Sequence, residues 1–284
     1  YDKDSPDVND GVFNGGYSTS FVENNDSGQT YKLSLNYRAD ESTSFYGTFA
    51  QGFRLGGPHP LIPSSICDTS MVPDQIDSDE LDSFEVGAKF AFADGRATLN
   101  VSAFQVNWTG IPVKQILECG FEMTANAGEA RSRGVEVDGQ LLLSDLWRLD
   151  YGLSRTQAEL TADSAPLSAK SGDRLPGSPE FQASLGVQAD FDMAGRPMFA
   201  RADIAHIGEY FNNLQQTGLA AGGFTTVNLS LGAEISDSVS VDFFARNLTN
   251  EDGLTWIETE LGDGRANYIR PRTIGIEVRA RFGQ

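Results

Sequence analysis

The sequence has no long hydrophobic run. No apolar stretch among its 284 residues approaches the roughly 20 residues that a membrane-spanning helix requires, and the mean hydropathy is -0.30. This absence excludes a helical membrane protein. It does not exclude a membrane barrel, whose strands carry apolar residues only at every second position.

Positive charge is also scarce. The chain has 21 Lys and Arg residues against 40 Asp and Glu residues, which gives a formal net charge of -19. A nucleic-acid-binding domain needs a basic face, so we expect no nucleic-acid partner. The acidic surface either keeps the protein solvated or forms loops that attract cations.

Residue types that carry catalysis are few and scattered. The two histidines, His59 and His206, lie far apart, and there is no metal-ligand spacing of the HExxH kind. Neither cysteine stands beside a base that would make it a nucleophile. We therefore predict that the protein is not an enzyme and that it has no catalytic residues, no metal centre and no cofactor.

Period-two alternation is abundant, and the final strand shows it most clearly. Small or charged residues separate its apolar positions Ile274, Ile276, Val278, Ala280 and Phe282. Such a strand has one apolar and one polar face, which suits either a soluble sandwich or a membrane barrel. Similar stretches predict about eleven strands, at residues 31–39, 43–53, 81–92, 96–108, 133–143, 147–160, 180–191, 196–211, 224–235, 239–248 and the C-terminal stretch.

The connections between these strands alternate strictly between short and long. Short turns are predicted at 40–42, 93–95, 144–145, 193–195 and 236–238, and long connections at 54–80, 109–132, 161–179, 212–223 and 249–269. Soluble sandwiches with Greek-key crossovers do not sort their loops by end in this way, whereas outer-membrane barrels do. The sequence therefore predicts an all-β, antiparallel transmembrane β-barrel with every tight turn at one end.

Alternation also predicts which side chains share a face. Outward positions are predicted to include Leu99, Val135, Val137, Leu185, Val187, Leu229 and Leu231. Inward positions are predicted to include Glu136, Asp138, Gln188 and Glu234. The apolar parity changes between Ala103 and Phe104, which predicts a β-bulge there. Aromatic residues beside the short turns predict an interfacial girdle of Phe45, Tyr46, Phe90, Phe92, Trp147, Phe191, Phe199 and Phe282.

Several ordered stretches resemble the barrel of TonB-dependent outer-membrane receptors. They are SFYGTFAQGFRLGG, LDSFEVGAKFAFADGRATLNVSAFQVNWTGI, NAGEARSRGVEVDGQ, RLPGSPEFQASLGV, FFARNLTNEDG and the closing RPRTIGIEVRARF. The resemblance implies a 22-stranded barrel in the outer membrane of a bacterium. Residues 1–284 would be its C-terminal half of about 11–12 strands, with the N-terminal plug and the first strands outside this chain.

The resemblance also implies a function and a set of partners. The expected function is TonB-energised uptake of a scarce nutrient such as an iron–siderophore complex; the alternatives are a passive outer-membrane pore or adhesin and, from a third class, a soluble β-rich binding protein. Expected partners are membrane lipid and lipopolysaccharide, the barrel-assembly machinery, TonB through the N-terminal part, and a small-molecule ligand whose identity the sequence does not reveal.

Ligand-binding candidates lie at strand ends and in the long connections. Arginine and aromatic side chains suit an anionic, planar or sugar-like ligand. The candidates are Arg54, His59, Arg131, Arg133, Arg174, Tyr210, Asn212, Asn213, Trp256, Arg265 and Tyr268. The acidic segment 74–83 is a possible Ca²⁺ site, although it lacks EF-hand spacing and also fits a merely solvated loop.

The two cysteines lie in adjacent long connections. Cys67 falls within 54–80 and Cys119 within 109–132. Exported proteins work in an oxidising compartment, where a lone pair of cysteines tends to be joined. We therefore predict a Cys67–Cys119 disulfide that holds the loops in shape.

Overall fold

The computed structural model describes residues 2–9, 18–25, 28–126, 128–164, 168–258 and 265–282. Parts of the predicted connections 109–132, 161–179 and 249–269, and the last two residues, lie outside these ranges. No helix in the described ranges has the length and hydropathy to span a membrane.

The strands are β1 (Asp2–Asn9), β2 (Ser18–Asn25), β3 (Lys32–Arg38), β4 (Thr43–Arg54), β5 (Gly57–Pro58), β6 (Gln75–Ile76), β7 (Asp79–Phe92), β8 (Ala97–Thr109), β9 (Pro112–Ile116), β10 (Glu122–Asn126), β11 (Glu129–Leu142), β12 (Trp147–Leu160), β13 (Phe181–Met193), β14 (Arg196–Ile207), β15 (Phe224–Ser236), β16 (Val239–Arg246), β17 (Leu254–Glu258), β18 (Arg265–Tyr268) and β19 (Thr273–Ala280).

Eleven of these strands form one antiparallel sheet. Their order is β19-β16-β15-β14-β13-β12-β11-β8-β7-β4-β3, so neighbours in the sheet are consecutive barrel strands along the chain. The remaining strands pair two by two, as β1-β2, β5-β6, β9-β10 and β17-β18. Because successive strands are antiparallel, the five short turns lie at one end and the long connections at the other. The predicted all-β barrel topology is confirmed.

Strand register divides the sheet into an apolar face and a polar face, because directly paired residues project to the same side. Val137 of β11 pairs with Val101 and with Leu153, and Val187 of β13 pairs with Leu149 and with Ala202. The seven predicted outward residues all lie on this apolar face, and the four predicted inward residues lie on the polar face. Large apolar side chains such as Val135, at 51% exposure, remain uncovered on the apolar face, as a lipid-facing band requires.

The predicted β-bulge at Ala103 and Phe104 is wrong. β8 pairs with both of its neighbours without a register shift from Ala97 to Thr109. The parity of the apolar residues changes because Phe104, Val106 and Trp108 project from the polar face. The girdle prediction needs a similar correction, since register puts Tyr46 and Phe199 on the polar face, away from Phe45 and Phe90.

Five aromatic side chains lie over glycines on the neighbouring strand. In each pair the two residues are direct register partners, and a methyl group on the glycine would come within 3.0 Å of the aromatic side chain. The pairs are Tyr46–Gly87, Phe104–Gly134, Tyr151–Gly139, Phe199–Gly232 and Phe244–Gly275. A glycine in a strand exposes backbone that an aromatic ring can cover, so these pairs account for part of the high glycine content.

The main buried cluster lies at the loop end of the sheet, among the long connections and the adjoining strand ends. It comprises Ile111, Val113, Met123, Ala125, Ala130, Leu160, Ala169 and Leu214, and is called here the loop core. Its two most enclosed members, Met123 and Leu160, are each 1% exposed. A single-layer sheet has no second sheet to pack against, so burial from water within the chain occurs where the connections fold over the strand ends.

Substitution of Gly134 by alanine tests the aromatic–glycine packing. The new methyl group would meet the Arg155 carbonyl oxygen at 2.6 Å and the Phe104 ring at 2.7 Å. Such overpacking costs about 1–3 kcal/mol, so we expect a lower temperature for the heat-induced change in gel mobility of the receptor that contains this chain. Gly52→Ala is the matched control, because no atom lies within 4 Å of the position that its new methyl group would take. Equal effects of the two substitutions would contradict the packing argument.

Candidate ligand-binding site

Arg54 belongs to a hydrogen-bonded group at the loop end of β4. Its guanidinium donates to both carboxylate oxygens of Asp79, at 3.0 and 2.6 Å, and lies 5.7 Å from the centre of the Trp108 ring. Asp79, only 4% exposed, also accepts the Trp108 indole N–H at 2.6 Å. The Arg54 side chain keeps 59% exposure, so its remaining N–H groups are available to a ligand.

His59 has a structural role. It is 5% exposed, its Nε2 accepts the Thr124 backbone N–H at 2.8 Å, and its Nδ1 lies 2.7 Å from the Pro60 carbonyl oxygen. These contacts define a neutral tautomer with the proton on Nδ1, since Nε2 must accept. Both ring nitrogens are therefore engaged, which leaves His59 no nitrogen for a metal or a ligand.

Cys67 and Cys119 are joined by a disulfide with a Cα–Cα distance of 5.4 Å. Close by, the Asn126 amide accepts the Asp77 backbone N–H at 2.9 Å and donates to the Asp77 carbonyl at 3.1 Å. The connection after β4 is thus tied to the connection after β8 by a covalent bond, by the Asn126 contacts and by His59. The two connections form one body beside the loop core.

A second group forms around Tyr210. Its hydroxyl donates to the Thr255 carbonyl at 2.8 Å, and Gly222 N–H donates to the Leu254 carbonyl at 2.9 Å, so the connection after β14 docks on β17. β17 carries Trp256, 42% exposed, and pairs with β18, which carries Arg265 and the 60% exposed Tyr268. The structure therefore brings four predicted residues from two separate segments together at the loop end, where register puts Trp256 and Arg265 on one side of the β17–β18 hairpin and Tyr268 on the other. We call the exterior of this docked unit, formed by Tyr210, Trp256, Arg265 and Tyr268, the aromatic surface.

Asn212 and Asn213 differ in whether their side-chain amides have hydrogen-bond partners. Asn213 is fully used within its own connection, donating to the Thr217 carbonyl at 3.0 Å and accepting its N–H at 3.1 Å. The amide nitrogen and oxygen of Asn212 are both buried without a hydrogen-bond partner among the described residues. Buried amides in native proteins normally obtain partners, so Asn212 is the stronger candidate for contact with a bound molecule.

Register places Arg131 and Arg133 on the apolar face. They share the parity of Val135, and Arg131 forms a 2.7 Å ion pair with Glu159, whose backbone pairs with that of Arg174. The three arginines thus lie along the outer side of the loop end and not above the polar face. Their alternation with Val135 in RSRGVEV was the sequence signal for this placement. A role for them in ligand binding stays a prediction.

The acidic segment 74–83 does not gather its carboxylates. Because β7 begins at Asp79, successive side chains alternate between faces, and Asp79 is occupied by Arg54 while Asp82 accepts the Gln51 amide at 2.8 Å. Throughout the described ranges, no group of three or more His, Cys, Asp or Glu residues is arranged to hold a metal ion. The possible Ca²⁺ site therefore receives no geometric support.

Sequence reasoning missed an ionic network on the polar face. Arg201 donates to Asp150 at 2.6 Å and to Asp203 at 2.6 Å, and Asp150 also accepts from Gln140 at 2.8 Å. The members come from β11, β12 and β14, so single positions in separate strands meet only through register. Charged groups paired in this way suit the wall of a wet lumen.

Comparisons with known proteins agree with this architecture. A family model described as TonB dependent receptor-like, beta-barrel matches residues 1–248. The chain belongs to the TonB-dependent receptor family. It is 23% identical over 266 residues to the pesticin receptor of Yersinia pestis, covering 92% of this chain, and 23% identical over 236 residues to the metal-pseudopaline receptor CntO of Pseudomonas aeruginosa, covering 83%.

Solved structures show the same fold. The ferric yersiniabactin uptake receptor FyuA from Yersinia pestis matches with a TM-score of 0.79 at 21% identity, covering 95% of this chain and 40% of that one. The ferric preacinetobactin receptor BauA from Acinetobacter baumannii matches with a TM-score of 0.66 at 20% identity, covering 93% and 37%. The chain spans 37% of the pesticin receptor and 31% of CntO. Barrels of this family are bacterial outer-membrane proteins, and these relatives are receptors rather than enzymes.

Tyr210→Phe tests the docking of the connection on β17. Burial raises the pKa of Tyr210 above its ordinary value of 10.0, so the docked contact persists below about pH 10 and weakens as the pH rises through the raised pKa. Loss of the hydroxyl should weaken docking by about 1 kcal/mol and abolish this alkaline sensitivity. Limited proteolysis between residues 208 and 223 across an alkaline pH series measures both effects. An equally steep alkaline response in the variant would refute the assignment.

Joint replacement of Cys67 and Cys119 by serine tests the disulfide. The bond closes a separation of 52 residues, for which loop entropy gives roughly 4 kcal/mol as an upper figure. The barrel strands already restrain both connections, so we expect unchanged strand content by circular dichroism and faster proteolysis of the connections. In the wild type, thiol labelling of non-reduced, denatured protein should find no free cysteine. Two labelled thiols would contradict the bond.

Proposed function

We propose that this chain is the ligand-capturing part of a receptor barrel that imports a scarce metal chelate, such as a ferric siderophore, with energy from TonB. The observation that carries the proposal is the family match over residues 1–248. Its support on the ligand side comes from relatives whose names refer to a metal-pseudopaline and to ferric yersiniabactin.

The loop end has a chemistry that suits such a ligand. Metal chelates of this kind are compact, often anionic and rich in planar groups, and guanidinium and aromatic side chains recognise them by hydrogen bonding and stacking. The aromatic surface offers Trp256 and Tyr268 as exposed rings. Arg54 and Asn212 add polar groups at the same end of the barrel.

The proposal assigns different roles to this chain and to segments outside it. Residues 1–284 would supply the C-terminal half of a 22-stranded barrel, and an N-terminal plug would carry the TonB contact. The edges of the eleven-stranded sheet, β3 and β19, would pair with the remaining barrel strands, because an unpaired strand edge is not tolerated in lipid. Insertion would use the barrel-assembly machinery.

Uptake of radiolabelled iron by cells that express the receptor containing this chain tests the proposal. Cells would be given a panel of ferric chelates, with and without a functional TonB. We expect TonB-dependent accumulation from at least one chelate. Accumulation that is unchanged without TonB, together with steady conductance in planar bilayers, would indicate the alternative of a passive pore.

Trp256→Ala tests the place of capture within the same assay. Loss of a stacking ring should weaken the apparent affinity for the transported chelate about tenfold. Trp147→Ala is the matched control, because Trp147 has a similar exposure of 45% but lies beside a short turn. Equal affinity losses in both variants would show that the aromatic surface has no special role.

A further inference from the structure

The apolar face changes character towards the long connections. Along β11 the outward positions run from Leu141 and Val137 through Val135 to Arg133 and Arg131. The change occurs at the same level in neighbouring strands, since Arg133 pairs with Gln105 on one side and with Gln157 on the other. A polar row therefore borders the apolar band on the side of the long connections, where the outer leaflet's headgroups lie in a barrel of this topology.

Arg155 stands one row deeper, inside the apolar band. Its direct register partners are Val135 on β11 and Phe181 on β13, both apolar and both about half exposed. A charged side chain on a lipid-facing surface is costly at the bilayer centre, and the cost falls towards the interface. Arg155 avoids most of that cost if its guanidinium extends to the headgroup level, where water and the anionic groups of lipid can solvate it.

Arg133 and Arg155 converge on one groove. A cavity of about 500 Å³ is lined by Arg133, Arg155, Gln105, Gln157, Val135 and Glu180, among others. The two arginines are diagonal neighbours on adjacent strands and on the same face, a spacing of about 7–8 Å that long side chains can span. Two guanidinium groups can therefore reach the same small anion.

Neither of these two arginines has a carboxylate partner among the described residues. Arg133 donates only to a neutral group, the Gln157 amide oxygen, at 3.3 and 3.0 Å. The side chain of Arg155, whose backbone is paired within the sheet, has neither a hydrogen bond nor an ion pair with any of the residues that the structure describes. The carboxylate in the groove, Glu180, is paired with Arg174 at 3.4 Å. Arginines elsewhere in this chain of net charge -19 commonly have carboxylate partners, as Arg54, Arg131 and Arg201 do.

We propose that this groove is a binding site for a phosphate group of an outer-leaflet glycolipid such as the lipid A part of lipopolysaccharide. Arg133 and Arg155 hold the phosphate through charge-assisted hydrogen bonds, for which the planar guanidinium is well shaped. Gln105 and Gln157 supply neutral donors at the rim. Val135 and Phe181 contact the acyl chains below, so that one molecule satisfies both the polar row and the apolar band.

Titration of the complete, purified receptor with diphosphorylated lipid A, followed by native mass spectrometry, tests the site. Replacement of both Arg133 and Arg155 by glutamine should weaken lipid A binding about tenfold or more, as expected when charge-assisted bonds to phosphate are lost. The matched control replaces Arg96 and Arg196 by glutamine. These two are exposed at the short-turn end, each paired with an exposed carboxylate, and their loss should change binding less than about twofold. Equal binding by the groove variant and the control would overturn the proposal.

Two further arms identify the ligand. Lipid A without phosphate should bind the wild type about tenfold more weakly and should not distinguish it from the groove variant. Inorganic phosphate at the same concentration should not displace lipid A. Equal binding of the phosphate-free lipid, or displacement by inorganic phosphate, would overturn the assignment to a phosphorylated lipid. If the double variant does not fold, Arg155→Gln alone gives the same test, because Arg155 has no partner to lose among the described residues, and unchanged binding would refute the site.

Discussion

The continuous antiparallel hydrogen-bond ladder is the constraint on which the rest of the structure depends. In a bilayer every backbone N–H and C=O group must be paired within the protein, because lipid offers no partner. Eleven antiparallel strands in sequence order meet this requirement everywhere except at the two edges of the sheet, β3 and β19. They also commit every side chain to one of two faces, since a slip of one residue would exchange the faces. Both the placement of Val135 towards lipid and that of Arg201 in the polar network follow from this register.

A single-layer sheet cannot build an ordinary core, and the protein responds in two ways. Within the sheet, rings such as Tyr46 and Phe104 cover glycines on the next strand and supply local packing. Beyond the strand ends, the long connections assemble the loop core and the body held by the Cys67–Cys119 disulfide. Among the described residues the main buried cluster therefore lies at the loop end, beneath the surface proposed for ligand capture.

The arginines fall into groups that differ in their hydrogen-bond partners and in the face of the sheet on which they lie. Arg54 is anchored by the buried Asp79 yet keeps an exposed edge. Arg201 joins Asp203 on its own strand to Asp150 on another. Arg133 and Arg155 face outward, with no carboxylate partner in the part of the chain that the structure describes. Arginine on the polar face thus pairs with aspartates, whereas we propose that other arginines contact a ligand or a lipid. Strand parity and hydrogen-bond partners distinguish these groups.

The strands, the sorting of turns by length and the two faces of the sheet could be predicted from the sequence, because each depends on short-range alternation and on turn residues that act locally. The sequence also predicted the pairing of Cys67 with Cys119, since adjacent hairpins bring their loops together. Only the tertiary structure decided which distant residues meet. Trp108 bonding to Asp79, Tyr210 docking on Thr255 and Arg155 lying between Val135 and Phe181 all depend on register across strands, and the single-strand pattern of Phe104 even suggested a bulge that does not form. Register is a property of pairs of strands. The alternation along one strand therefore predicts which face a side chain is on, but not which residues of the next strand lie beside it.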